Sequence, residues 1–214
     1  MKRTALAFIA AASLSVAATA QNYLVENPDN KPYLGLRIGL DISSTAGPAN
    51  DIYGNGPGFT IGAVYNIPIW KNLYFEPGVS LFYDTFNAEV EEPAIPDGII
   101  NLLDGSIRNW GFRVPLNAGY RFDFTDDISI SLFTGPVINA NISAHEHYPG
   151  HSLSVMEKGF KRFDLQWDFG ASLTYNHNYY VAVSGAVGMT KAYSLTDEFN
   201  FRRNTCNIAI GYNF

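Results

Sequence analysis

The stretch that most constrains this chain is its last one, residues 203–214, reading RNTCNIAIGYNF. Alternate residues fall into two sets. Cys206, Ile208, Ile210, Tyr212 and Phe214 make one apolar face, while Arg203, Thr205, Asn207, Ala209, Gly211 and Asn213 make a polar or small one. Side chains alternate across a strand with period two, so the segment reads as a strand with one greasy and one polar face. The greasy face runs to the final residue with no polar tail behind it. Two architectures use such a strand. A soluble sandwich buries the apolar face; a membrane barrel turns it toward lipid.

The same alternation fills the chain from Tyr33 onward. Leu34, Leu36, Ile38, Leu40 and Ile42 oppose Tyr33, Gly35, Arg37, Gly39, Asp41 and Ser43. Phe59, Ile61, Ala63, Tyr65 and Ile67 oppose Gly58, Thr60, Gly62 and Asn66. Leu73, Phe75, Val79, Leu81 and Tyr83 oppose Tyr74, Glu76, Gly78, Ser80 and Asp84. A fourth segment sets Trp110, Phe112, Val114, Leu116, Ala118, Tyr120 and Phe122 against Asn109, Arg113, Asn117 and Arg121. A fifth sets Ile128, Ile130, Leu132, Ile138 and Ile142 against Ser129, Ser131, Asn139 and Asn141. A sixth sets Phe163, Leu165, Trp167, Phe169, Leu173 and Tyr175 against Asp164, Gln166, Asp168, Ser172 and Thr174. In the seventh, Tyr179, Val181, Val183, Val187 and Met189 oppose Tyr180, Ala182, Ser184, Ala186 and Gly188. With the terminal strand there are eight.

No charged residue falls on the apolar face of any of them, and this decides the architecture. A soluble eight-stranded barrel would have to pack every one of those Trp, Phe, Tyr and Ile side chains inside a lumen that just holds side chains at this strand number. Facing lipid, they need no packing partner. The expected fold is all-β: an eight-stranded antiparallel up-and-down transmembrane β-barrel over residues 33–214. No run of about twenty apolar residues exists, so no helix crosses the membrane.

Connections agree with this. Long ones (45–56, 85–107, 144–161, 191–202) alternate strictly with short ones (68–72, 123–127, 176–178), the pattern of outer loops and periplasmic turns. Outward aromatics sort to the strand ends: Tyr65, Phe75, Tyr120, Phe122, Tyr175, Tyr179, Tyr212 and Phe214 toward the turns; Phe59, Tyr83, Trp110 and Phe163 toward the loops. Amphipathic rings prefer two such interfacial belts. Pro77, Pro115 and Pro136 fall inside strands, where proline removes a ladder donor, and bulges are expected to absorb them.

Lys2 and Arg3, an apolar run over residues 5–12 and Ala18-Thr19-Ala20 read as a secretory signal peptide over 1–20, cut before Gln21. Residues 21–32, with Pro28 and Pro32 and no period, read as a periplasmic lead-in. Removing 1–20 takes away two basic residues and no acid, so the net charge of −6 becomes −8, which argues against a nucleic-acid partner. Cys206 is the only cysteine and has no partner for a disulfide within the chain.

Taken together, Phe75-Glu76-Pro77-Gly78, Arg113-Val114-Pro115-Leu116 running to Gly119-Tyr120-Arg121-Phe122, Gly135-Pro136, Phe163-Asp164 leading to Gly170, Val187-Gly188-Met189-Thr190 and Gly211-Tyr212-Asn213-Phe214 carry a resemblance. The chain resembles the small outer-membrane β-barrels of Bacteroidetes-type bacteria labelled porin family proteins, similar in architecture to eight-stranded OmpA/OmpX-like barrels. The resemblance implies residence in the bacterial outer membrane, with membrane lipid as surroundings. It also implies that Ile208, Ile210, Tyr212 and Phe214 act as an assembly signal for the barrel-assembly machinery. The family is held together by architecture and does not supply a function.

Chemistry is sought in three places. Arg37, Asp41, Glu76, Arg113, Arg121, Asp164 and Asp168 point inward, where burial is costly unless charges pair. A salt-bridge network that plugs the lumen is expected, in which at least one of Glu76 and Asp84 meets Arg113 or Arg121, with Glu76–Arg113 the leading pair; a gated ion path along the same residues is the alternative. The second long connection carries Glu89, Glu91, Glu92, Asp97 and Asp104 with Ile95, Ile99, Ile100, Leu102 and Leu103. It reads as a solvated acidic loop, or as a docking surface or Ca²⁺ site. His145, His147 and His151 in the third could offer imidazoles to Zn²⁺, although nothing in the sequence fixes their geometry. No cofactor is expected. An outer-leaflet lipid enzyme needs a nucleophile and base on the outer wall. The alternation places no serine or histidine there, so a non-enzymatic, structural or interactive role through the loops is expected.

Overall fold

The structure, a computed structural model, describes residues 31–48, 53–87, 105–148, 151–156, 159–196 and 200–214. The leader, all but the end of the lead-in, and the whole Glu89 to Asp104 acidic segment lie outside the described residues.

Ten strands form one antiparallel sheet: β1 (Tyr33–Ala46), β2 (Gly56–Trp70), β3 (Leu73–Asn87), β4 (Ser106–Asp123), β5 (Ile128–Tyr148), β6 (His151–Ser154), β7 (Phe163–Tyr175), β8 (Tyr179–Gly188), β9 (Lys191–Ser194) and β10 (Asn200–Asn213). Eight are barrel staves, in the order β1-β2-β3-β4-β5-β7-β8-β10, and β10 pairs back onto β1. The closing register sets Ile38 opposite Ile210 and Asp41 opposite Asn207. Closure leaves no stave with an unpaired edge, which a membrane wall requires because hydrocarbon satisfies no N–H or C=O. β6 and β9 are short returns on β5 and β10 that extend the loop end.

The faces sort as the alternation requires. Leu40 is 73% exposed and Ile208 and Ile210 are each 58% exposed, while Asp41, Asp164 and Arg203 are buried. Both belts are present. Phe59, Tyr83 and Trp110 lie in one register row at the loop end. At the turn end Tyr175, Tyr179, Tyr212 and Phe214 touch in series, with ring centroids 5.0–6.5 Å apart. Between the belts, Trp167 donates its indole N–H to Thr134 Oγ1 at 2.8 Å, so this lipid-facing donor is satisfied.

Several local expectations are corrected. Ile67 is buried although it keeps the register of its strand opposite Phe75, and the β2–β3 register shift between Pro68 and Trp70 leaves the consecutive residues Ile69 and Trp70 both exposed. β2 therefore runs to Trp70. Its turn is Lys71-Asn72, with Lys71 at φ 50. The in-strand prolines do not sit at bulges. The β3–β4 pairing skips from Pro77 to Ser80 and the β4–β5 pairing from Pro115 to Ala118, both without a change of register. Pro136 pairs with Trp167 in an unbroken ladder. A missing donor is thus met by dropping rungs on neighbouring strands.

A bulge does occur at Trp110/Gly111, where Ile142 is the extra residue on β5. It shifts the phase of everything beyond it. Ala144 and Glu146 now share register with inward-facing Asn109 and Ile107, and Ser143, His145 and His147 fall on the outer face. The segment expected to be a loop is strand to Tyr148, returning as β6. At the opposite end, Asn176 and His177 both take positive φ (50 and 60), and Asn178 N–H donates to the Tyr175 carbonyl at 3.2 Å. Positive φ at both central positions is the tight hairpin turn whose twist matches the strands.

Candidate functional site: the lumen

From the loop end downward the lumen has three layers. The first is an apolar cap. Inward positions near the strand ends carry Phe86, Ile107, Ala144 and Phe201, joined by Tyr53, Val155, Phe160, Ala192 and Tyr193. Phe201 is the hub, stacked on Tyr193 (5.3 Å, 8° between planes) and tilted against Phe86 at 5.4 Å and Tyr53 at 5.7 Å. Tyr53 donates its hydroxyl to Glu146 Oε1 at 2.8 Å, and its carbonyl accepts from Thr45 Oγ1.

Directly beneath is a charged network. Arg203 of β10 is 0% exposed; its Nη1 donates to Asp84 at 2.8 Å and its Nη2 to Asp164 at 2.8 Å and to Asn141 at 2.7 Å. Arg113 of β4 reaches Asp41 at 3.2 Å and Asp84 at 3.3 Å and donates through Nε to Asn139. Asn139 donates to Asp164 and Gln166, Asn141 to Asp164, and Asn109 to Asn141, each within 2.7–2.8 Å. Asn207 donates to Asp41 at 2.5 Å. Both guanidiniums lie within 5.0 Å of the Phe82 ring centroid, so a buried aromatic face serves both cations. Side chains from β1, β3, β4, β5, β7 and β10 thereby interlock across the bore.

The third layer is the turn-side half, reached across a cavity of about 120 Å³ lined by Thr60, Ser80, Arg113, Asn117, Asp168 and Tyr180, among others. Arg37 lies 3.7 Å over the Tyr180 ring. Its Nη1 donates to the Leu36 carbonyl at 3.2 Å, and its Nε and Nη2 make no hydrogen bond among the described residues. Gly35 and Gly211 flank it, and a Cβ on either would run into its guanidinium. Arg121 donates to the Tyr33 hydroxyl at 3.2 Å and sits near the Tyr33 and Tyr74 rings. Glu76 accepts from Asn66 at 3.0 Å, and Asp168 from Asn117 at 3.2 Å.

Of the seven inward charges read from the sequence, Asp41, Arg113 and Asp164 join the network. Arg37, Glu76, Arg121 and Asp168 find neutral partners. The expected Glu76–Arg113 pair is not made, for a geometric reason. Arg113 lies opposite Ser80, midway between Glu76 and Asp84 on β3. It turns toward Asp84, where Asp41 stands across the lumen within the same reach, so one guanidinium meets two carboxylates. The expectation that Glu76 or Asp84 meets an arginine of β4 is thus met by Asp84, while Arg203, the centre of the network, was absent from the expected set although the alternation placed it inward.

On the outer wall, Ser143 Oγ and His145 Nδ1 are 2.9 Å apart, which corrects the expectation that no serine or histidine reaches that face. Arg108, not a carboxylate, stands opposite His145. The β5–β6 register sets Ser152 opposite His147 and His151 opposite Tyr148. Among the described residues no three His, Cys, Asp or Glu side chains converge as metal ligands.

A family model described as "Outer membrane protein beta-barrel domain" matches residues 4–214. No curated protein matches the chain. Similar solved structures include Ail, the attachment invasion locus protein of Yersinia pestis (18% identity, 86% of this chain and 97% of that one, TM-score 0.39). Neisserial surface protein A is 15% identical over 86% of this chain and 97% of its own, with a TM-score of 0.45. The N-terminal barrel of Pseudomonas aeruginosa OprF is 12% identical over 86% and 100%, with a TM-score of 0.40. At these scores the fold rests on the strand register and the family match.

Proposed function

Because the chain belongs to the outer membrane protein beta-barrel domain family, and so stands in the bacterial outer membrane, we propose that it is a closed, non-conducting barrel. Its role is structural or interactive, exercised through the loop end, which faces outward while the short turns face the periplasm. The leader over residues 1–20 exports the chain, and the apolar face of β10 ending in Tyr212 and Phe214 presents it to the barrel-assembly machinery.

One observation carries the reading: Arg203 is wholly buried between Asp84 and Asp164 directly under the Phe201 cap. An eight-stranded bore is just wide enough for side chains, and these fill it. Catalysis finds little support, since the Ser143–His145 pair faces Arg108 where a triad would need a carboxylate. The cavity of about 120 Å³ beneath the network favours a small pore as the second reading, because its Asp168 and Asn117 carbonyl-type oxygens and the Arg37 guanidinium would hold water.

Planar-bilayer recording tests the choice. The wild-type barrel is expected to show no unitary steps above leak, and a variant carrying Phe201→Ala, Arg113→Ala and Arg203→Ala is expected to conduct. Steady unitary steps from the wild type would replace the plug with the pore.

A further inference from the structure

We infer that the loop-end rim carries, on one side of the barrel, a binding arc for phosphate-bearing lipid headgroups of the surrounding leaflet. Arg108, Lys161, Arg162, Lys191 and Arg202 are all exposed there. They occupy a contiguous part of the wall. Arg108 of β4 lies opposite His145 of β5, which in turn lies opposite Ser154 of β6, giving a row of three donor-bearing residues. Lys161 N–H donates to the Ala192 carbonyl, tying that segment to β9. Lys191 of β9 lies directly opposite Arg202 of β10.

The arc stops sharply at both ends. The next residue in register beyond Arg108 is Thr85, and beyond Arg202 it is Ala46. None of Arg108, Arg162 and Arg202 meets a carboxylate among the described residues.

Depth fixes the kind of anion. Arg108 lies two residues beyond the belt residue Trp110, and Lys161 stands two residues before Phe163, in phase with it, and Phe163 is exposed on the wall. Aromatic girdles mark the interface, so these cations stand at headgroup level, where each basic residue contributes attraction to anionic lipid. The turn-end rim has the opposite character: Asp123, Asp126 and Asp127 are exposed there against Lys71.

The test reads each rim with its own tryptophan. One protein keeps only Trp110 (Trp70→Phe, Trp167→Phe) and the other only Trp70 (Trp110→Phe, Trp167→Phe). Both are folded into phosphatidylcholine vesicles doped with phosphatidylglycerol, with either lipid brominated in turn as the quencher. These vesicles are symmetric, so the outcome does not depend on orientation or on whether the lumen conducts. Trp110 is expected to prefer brominated phosphatidylglycerol, with the preference falling by up to about five-fold for each cation lost in Arg108→Gln, Lys161→Gln and Arg202→Gln. The charge-keeping exchanges Arg108→Lys, Lys161→Arg and Arg202→Lys should retain it, which separates lost charge from misfolding. Trp70 should show no preference. Equal quenching of Trp110 by the two lipids, or the same preference at Trp70, would overturn the arc. Abolition by free inorganic phosphate, but not by chloride at equal ionic strength, would reassign it to a soluble anion.

Discussion

The two halves of the lumen bury the same kinds of residue and solve the problem differently. In the loop-side half two arginines meet three aspartates, Asp41, Asp84 and Asp164, with Asn109, Asn139, Asn141 and Gln166 filling the remaining hydrogen-bond positions. In the turn-side half two arginines rest on aromatic rings and the carboxylates take amide partners. Charge is ion-paired where it is sealed beneath an apolar cap, and is merely cushioned where the bore approaches the turn end. Buried charge that loses its partner is expensive, whereas a guanidinium over a ring gives up a smaller interaction. The loop-side half should therefore dominate stability, and the difference can be measured.

The largest effect is expected from Arg203→Met, which removes the shorter of the two ion pairs of Asp84 and the one ion pair of Asp164 among the described residues. Urea unfolding in detergent micelles should show a loss of about 3–5 kcal/mol. Arg37→Met, the matching change in the turn-side half, should cost about 1–2 kcal/mol, since it removes the contact with Tyr180 and leaves no carboxylate behind. A comparable loss from both variants would erase the distinction between the halves. The smallest effect is a coupling. Glu76→Gln and Arg113→Met should be additive to within about 0.5 kcal/mol, because their side chains belong to different layers. A larger coupling would join the two halves into one network.

Much of this was legible in the sequence, and the failures have physical causes. Eight strands, their phases and their order follow from alternation because a lipid-facing wall writes a two-letter pattern, and residues such as Leu40 and Ile210 keep it without exception. The pairings inside did not follow. Period two says that Asp41, Asp84, Arg113 and Arg203 point inward. It does not say which of them stand at one level, because that depends on the stagger of strands far apart in sequence. Arg113 had two acids at equal register distance on β3, and only Asp41 of β1 decided between them. The cap was missed because its residues, Phe86, Ile107 and Phe201 among them, fall in the segments read as long connections, where the strands in fact continue. The Ser143–His145 pair was missed because Ile142, an extra residue at a bulge, reverses the phase after it.

The central claim is that Arg203 locks β10 to β3 across the lumen, and a double-mutant cycle of Arg203→Met with Asp84→Asn tests it most directly. Each single variant should unfold in less urea than the wild type. The double variant should recover part of the summed loss, giving a coupling of about 1–3 kcal/mol in lipid vesicles. Strict additivity of the two changes would contradict the account, since it would mean that these two side chains do not meet and that the loop-side half of the bore is open.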